Sequence, residues 1–161
     1  MITTADNSVI KNQLKVNKTI FFSLAAGLIS FFIVAVVFIQ DKDPSAIKEL
    51  DNIFTIVVPV IGLIMMFSSR LIYNHLISKY DAVRNLHQKI SHYRTAKIIS
   101  WAMIESACLL ALVATMLTSN YLYVAVFLFL FGYFLLMKPS KESLIQDMRL
   151  NSEESDLILK S

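Results

Sequence analysis

Polar and apolar positions along this 161-residue chain separate into four apolar blocks, Thr19 to Ile39, Ile53 to Ser69, Ile98 to Thr118 and Tyr121 to Met137. Blocks of this length and polarity predict membrane-spanning helices. The first and third hold 21 residues each; at about 1.5 Å of rise per residue they reach about 31 Å, enough for a hydrocarbon core of about 30 Å. The second and fourth, with 17 residues each, reach only about 25 Å. Apolar extension through Leu71 and Ile72, or snorkelling of Arg70 and Lys138, completes them. Ser119 and Asn120 make the short polar turn between the last two spans, with Tyr121 and Tyr123 as interfacial anchors. The predicted fold class is all-α: a polytopic integral membrane protein forming one domain over residues 1–161. It has four transmembrane helices in a bundle, a cytoplasmic helical hairpin over 70–97 and an amphipathic tail over 138–161.

Composition agrees and adds an exception. The chain is 56% hydrophobic and 17% charged, against roughly 45–50% and about 25% in soluble domains. Of its 27 charged residues, 26 lie outside the four blocks, and Glu105 is the one inside. The flanking charges set an orientation. Residues 1–18 carry three Lys and one Asp, and residues 70–97 carry six Lys or Arg and one Asp, whereas residues 40–52 hold two Lys against four acids. Lys and Arg accumulate on the cytoplasmic side, so the N-terminus, the middle loop and the C-terminus are expected inside, in a bacterial-type inner membrane. The first block is too long for a signal-peptide core and lacks a small-x-small site, so it is expected to remain uncleaved. With Cys108 alone, no intrachain disulfide forms and paired-thiol redox chemistry is excluded.

No Gly or Pro occurs between Gly62 and Gly132, which predicts long uninterrupted helices through the middle of the chain. Pro59 removes a backbone donor within the second span and predicts a kink near Thr55. In the 70–97 segment Ile72, Leu76, Tyr80, Val83, Leu86 and Ile90 recur at three- and four-residue steps, with polar residues between. That stripe fits a solvated hairpin packed on its own continuation toward Tyr93. It also fits a surface helix on anionic lipid, with Lys79, Arg84, Lys89, Arg94 and Lys97 facing the headgroups, or a docking face for another protein. In the tail, Ser140 after Pro139 is a helix cap, with Leu144, Ile145 and Met148 as an apolar face. A second start signal, Asn151-Ser152-Glu153-Glu154, precedes Leu157, Ile158 and Leu159. These short helices lie on the membrane or, as the acidic tail beside a basic loop favours, cover that loop.

Glu105 requires a physical account, because a carboxylate in the hydrocarbon core costs about 2.5–3.5 kcal/mol even on the lenient insertion scale. It is expected to be neutral, paired or beside water. Arg70 is a candidate ion-pair partner, and Tyr133, Ser69 or water would hydrogen-bond a protonated Glu105. A different face of the same helix carries Ala107, Ala111 and Ala114, small residues that let helices approach closely in lipid. The stretch Arg94-Thr95-Ala96-Lys97-Ile98-Ile99-Ser100-Trp101-Ala102-Met103-Ile104-Glu105-Ser106 resembles the glutamate-bearing helix of the rotary ATPase c subunit, where a basic polar loop precedes a membrane glutamate by about three turns. The resemblance covers residues 94–117 and implies that Glu105 is an ion-binding carboxylate and Arg94 a loop residue. The family's other helix is glycine-rich, whereas here the second block has Gly62 alone.

His75, His87 and His92 lack the spacing that puts two ligands on one helical face, so neither metal nor cofactor is expected. Nucleotide-binding and hydrolase motifs are missing too. The phenylalanines at 127, 129, 131 and 134 are expected to face lipid and neighbouring helices. The expected function is a small non-enzymatic membrane protein, self-associating or an accessory subunit of a membrane complex. Its partners would be the bilayer and membrane proteins, not nucleic acid. A proton- or cation-coupled channel or transporter subunit using Glu105, and an anionic-lipid sensor through residues 70–97, are the alternatives.

Overall fold

The computed structural model describes residues 4–40, 48–79 and 86–160 and is helical throughout, with no strand among them. The helices run α1 (Thr4–Gln40), α2 (Lys48–Ser78), α3 (Leu86–Thr118), α4 (Tyr121–Leu136), α5 (Lys141–Asp147) and α6 (Ser152–Lys160). Three of them, α1, α2 and α3, are long and apolar enough to cross a membrane. Helix α4 is shorter, and only together with α5, bent 74° from it, does it make a fourth candidate.

Helix α3 is the hub. It packs against α1, α2 and α4, and half of its most apolar window is buried, compared with 22% for α1 and 17% for α2. The cause lies in its small side chains: Ser100, Ala107, Cys108, Ala111 and Ala114 are all buried. Such residues let neighbouring backbones approach, which is what holds helices together where lipid is as apolar as the side chains. The larger core groups fill the space left beside them. Trp101 is fully buried and donates its indole N–H to the Met137 carbonyl at the end of α4, 3.2 Å away. The ring of Phe21 from α1 packs edge-on to Trp101 at 5.3 Å and stacks on Phe134 at 4.9 Å. Phe32 stacks on Phe127 at 5.0 Å. Thus Phe127 and Phe134 face the core, whereas Phe129 is exposed.

Helix α1 begins well before the apolar block that starts at Thr19. The extra turns are held because Ile10, Leu14, Asn17 and Phe21, at steps of four, three and four, share one inward face. Helix α2 continues through Pro59 without a break, and Thr55 hydrogen-bonds the Asp51 carbonyl at 2.8 Å.

At one end of the bundle the α3–α4 turn is clasped to α2. Ser119 takes a left-handed conformation (φ 54°) and Asn120 caps α4, accepting the Leu122 N–H at 2.9 Å. The Asn120 amide also donates to both Asp51 oxygens at 3.1 Å, and the Tyr123 hydroxyl donates to Asp51 Oδ1 at 2.7 Å. At the other end, α5 and α6 fold back over the polar extensions of α1 and α3. Leu144, Met148 and Ile158 pack with Ile10, Ile90 and Tyr93 in a second core. Ser140 caps α5 through the Ser143 N–H at 3.0 Å. Asn151 and Glu154 exchange side chain and backbone bonds of 2.8 and 3.1 Å, a capping box at the start of α6.

The glycines give a direct test of this packing. A Cβ on Gly62 would meet Leu130 at 3.2 Å, while Gly27 and Gly132 have open space. Gly62→Leu should therefore lower stability in detergent by about 1–3 kcal/mol through overpacking, and Gly27→Ala and Gly132→Ala should be neutral or stabilising through helix propensity. Equal thermal unfolding of all three variants would refute the α2–α4 packing.

Candidate functional site

Polar and charged side chains with hydrogen-bonding chemistry gather where the apolar stretches of α2, α3 and α4 end. The centre is Asp147, at the end of α5. Tyr73 of α2 donates its hydroxyl to Asp147 Oδ2, and Ser143 donates to the same oxygen at 3.0 Å. The Tyr93 hydroxyl lies 2.9 Å from Ser143 Oγ. Because the single Ser143 hydroxyl proton is committed to Asp147, Tyr93 is the donor in that bond. The chain Tyr93 to Ser143 to Asp147, joined by Tyr73, therefore links α2, α3 and α5 through one carboxylate.

Lys97 stands beside this network without joining it. Its side chain is 9% exposed, and its Nζ lies 4.4 Å from the centre of the Tyr73 ring and 5.4 Å from that of Tyr93, a cation held on aromatic faces. No carboxylate reaches it within ion-pair distance among the described residues. Burial pulls its pKa down, and the nearby Asp147 charge partly opposes this. Burial also pushes the Tyr93 hydroxyl up to about 12, and burial followed by the Asp147 bond pushes Tyr73 up, so both phenols stay protonated. At the exposed start of α5, the Glu142 pKa is lowered, first by its own backbone N–H and then by Ser140.

Two cavities open from this network. One, of about 390 Å³, is lined by Arg70, Tyr73, Lys97, Tyr133, Leu136 and Asp147, among others. The other, of about 460 Å³, lies against Tyr73, Ile77, Gln146 and Arg149. The buried Asn17 leaves both side-chain amide atoms without a partner, against a void of about 10 Å³ bordered by Ser140 and Lys141. That is room for a single water.

The residues singled out from sequence are distributed differently from the expectation. Arg70 and Tyr133 do come together, with Lys97 in the chamber of about 390 Å³, but Glu105 is not among its lining residues. The Glu105–Arg70 ion pair does not form. Ser100 donates to the Ser69 carbonyl at 3.2 Å, so α2 faces Ser100 and Arg70 sits near its level. Five residues further on, Glu105 is turned about 140° away and displaced by about 7.5 Å. It is half-buried, with no hydrogen bond or ion pair to any described residue. Ala107, Ala111 and Ala114 are buried within this chain, so that face is occupied by its own helices and not available to a second copy.

Two of the five basic residues assigned to a lipid-facing surface point inward. Lys89 is 7% exposed and forms a two-pronged ion pair with Glu154, both oxygens at 2.7 Å, because α6 folds back across it. Lys97 is covered by the rings of Tyr73 and Tyr93. Lys79 is exposed and Arg94 half-buried. Arg84, with Tyr80 and Val83 of the proposed stripe, lies outside the described residues. His92 Nε2 bonds the Leu76 carbonyl at 2.8 Å, tying α3 to α2. Among the described residues, no three His, Cys, Asp or Glu side chains group into a metal site. The chamber itself went unseen in the sequence. Its signals were a Tyr and an Asn just beyond Arg70 and one of two Asp residues in the tail, none of which forms a motif.

Removing one partner of the Lys89–Glu154 pair should detach the tail. Lys89→Met is expected to weaken docking of α6 by about 2–3 kcal/mol, less than for a fully buried pair because Glu154 keeps some access to water. Tryptic cleavage after Arg149 should accelerate, and adding Glu154→Met should restore much of the protection. Unchanged cleavage in Lys89→Met would show that the pair does not hold the tail.

No protein-family model, curated protein or solved structure matches this chain.

Proposed function

We propose that this is a non-enzymatic accessory protein of a bacterial-type inner membrane. It spans the bilayer four times, with both termini and the 70–97 hairpin in the cytoplasm, and acts by docking a second membrane helix, from another copy or from a partner protein. The observation that carries this is a lateral notch of about 270 Å³ between α2 and α4, lined almost wholly by apolar atoms and including Pro59, Gly62, Ala125 and Phe129. Small residues at a lipid-exposed notch let a partner backbone come close, and packing of that kind drives association between membrane helices. The notch lies beside an open stripe on α2. Ile53, Ile56, Val60, Leu63, Phe67 and Leu71 recur at three- and four-residue steps and are all exposed.

The stripe is testable by disulfide trapping in native membranes. With buried Cys108 replaced by Ser, Leu63→Cys or Phe67→Cys should give cross-linked dimers or a discrete adduct of higher mass. Val34→Cys, on the exposed side of α1, is the comparison. Equal trapping at all three positions would rule out docking at this face.

Glu105 supports a second function, proton or cation handling. Its carboxylate lies within an apolar stretch and is half-buried on the outside of α3, with no hydrogen-bond partner among the described residues. An ionisable group in that position is a functional candidate by its cost alone. In that case reconstituted protein moves protons or cations and Glu105→Gln abolishes the flux. No flux in the parent, or unchanged flux in the variant, would eliminate this function, and Glu105→Gln would then only remove a destabilising half-buried acid.

A further inference from the structure

The chamber at the ends of α2, α3 and α4 has a charge pattern that its own residues leave unbalanced. Arg70 and Lys97 bring two positive charges to its wall and Asp147 one negative charge. Asp147 Oδ2 already accepts from Tyr73 and Ser143. Four donor side chains of the wall, Arg70, Asn74, Lys97 and Tyr133, make no hydrogen bond or ion pair with any described residue. For Lys97 this matters most, because a side chain only 9% exposed has lost most of its water and gains only the two tyrosine faces in return. A chamber with a net charge of +1 and several free donors is complementary to a monoanion with several acceptor oxygens.

The position of the chamber selects among such anions. Arg70 follows directly on the second apolar block, Lys97 directly precedes the third, and Met137 ends the fourth. All three line the same space, together with Leu136, which is 84% exposed. With the spans proposed above, the chamber lies where hydrocarbon gives way to headgroups, and the exposed Leu136 gives it an apolar side.

We propose that this chamber binds the phosphodiester headgroup of an anionic phospholipid, with Arg70 and Lys97 as its charged ligands and Tyr133 and Asn74 as hydrogen-bond donors. The guanidinium of Arg70 at the open side takes two phosphate oxygens, and Lys97 neutralises the charge from within. Tyr73 and Tyr93 position Lys97, and Asp147 fixes Tyr73. This site is distinct from the notch at Gly62 and does not depend on helix docking there. It also differs from a basic outer surface on the 70–97 segment, because its two cations line one and the same cavity.

Native mass spectrometry of the full chain in detergent tests the assignment. The protein is titrated with dioleoyl phosphatidylglycerol, with dioleoyl phosphatidylcholine, or with the former plus excess sodium phosphate. One phosphatidylglycerol per protomer should be retained about tenfold more strongly than phosphatidylcholine, a factor typical of a charge-assisted hydrogen bond. Arg70→Gln and Lys97→Met should each remove that preference, and Lys79→Gln, an exposed cation outside the chamber, should keep it. Arg70 is exposed, so Arg70→Gln remains decisive even if Lys97→Met does not fold. Retention unchanged in Arg70→Gln, or reduced equally in Lys79→Gln, would overturn the site. Displacement of the lipid by sodium phosphate would make soluble phosphate the occupant and overturn the assignment to lipid.

Discussion

The structure depends on how closely other helices can approach α3. In a bilayer there is no hydrophobic gain from moving a leucine off lipid and onto another leucine, so cohesion comes from packing and from the few polar bonds between helices. Ala107, Ala111 and Ala114 on α3 supply the surface that permits this. Helices α1, α2 and α4 all lie against α3, and α1 meets α4 through stacked rings of Phe21, Phe134, Phe32 and Phe127. A bulkier α3 would push three neighbours outward together.

Each end of this hub is closed by one carboxylate that gathers donors from separate helices. Asp51 ties the start of α2 to the α3–α4 turn through Asn120 and Tyr123. Asp147 ties α5 to α2 and, through Ser143, to α3. The two differ in what surrounds them. Asp51 is consumed by structural bonds at a turn, whereas Asp147 borders space that also holds two cations. A closed knot of structural bonds and an open charged cavity thus lie at opposite ends of the bundle.

What was legible in the sequence was local or periodic. The apolar blocks mark where α1 to α4 run, Ser119-Asn120 marks the turn, and Ser140 and Asn151 mark helix starts, because each depends on residues within one or two turns. What was not legible depends on chain reversal. The basic residues of 70–97 read as one outer surface on a helical wheel, but Lys89 meets Glu154, 65 residues away, and Asp147 meets Tyr73, 74 residues away. No pattern within either segment encodes those encounters. The pairing of Arg70 with Glu105 failed for a related reason: depth along the membrane can be estimated from sequence, but the angle at which two helices face each other cannot. The N-terminal turns of α1 were hidden by their polar composition, since only Ile10 and Leu14 among them hint at an inward face.

The indole of Trp101 has a practical corollary. It is the chain's single tryptophan, fully buried, and it is anchored to the carbonyl of Met137, whose side of α4 borders the charged chamber. Any movement at that end of α4 must stretch or break this bond and change the polarity around one chromophore. The native protein therefore carries an optical reporter of the chamber, readable in the purified protein without a label.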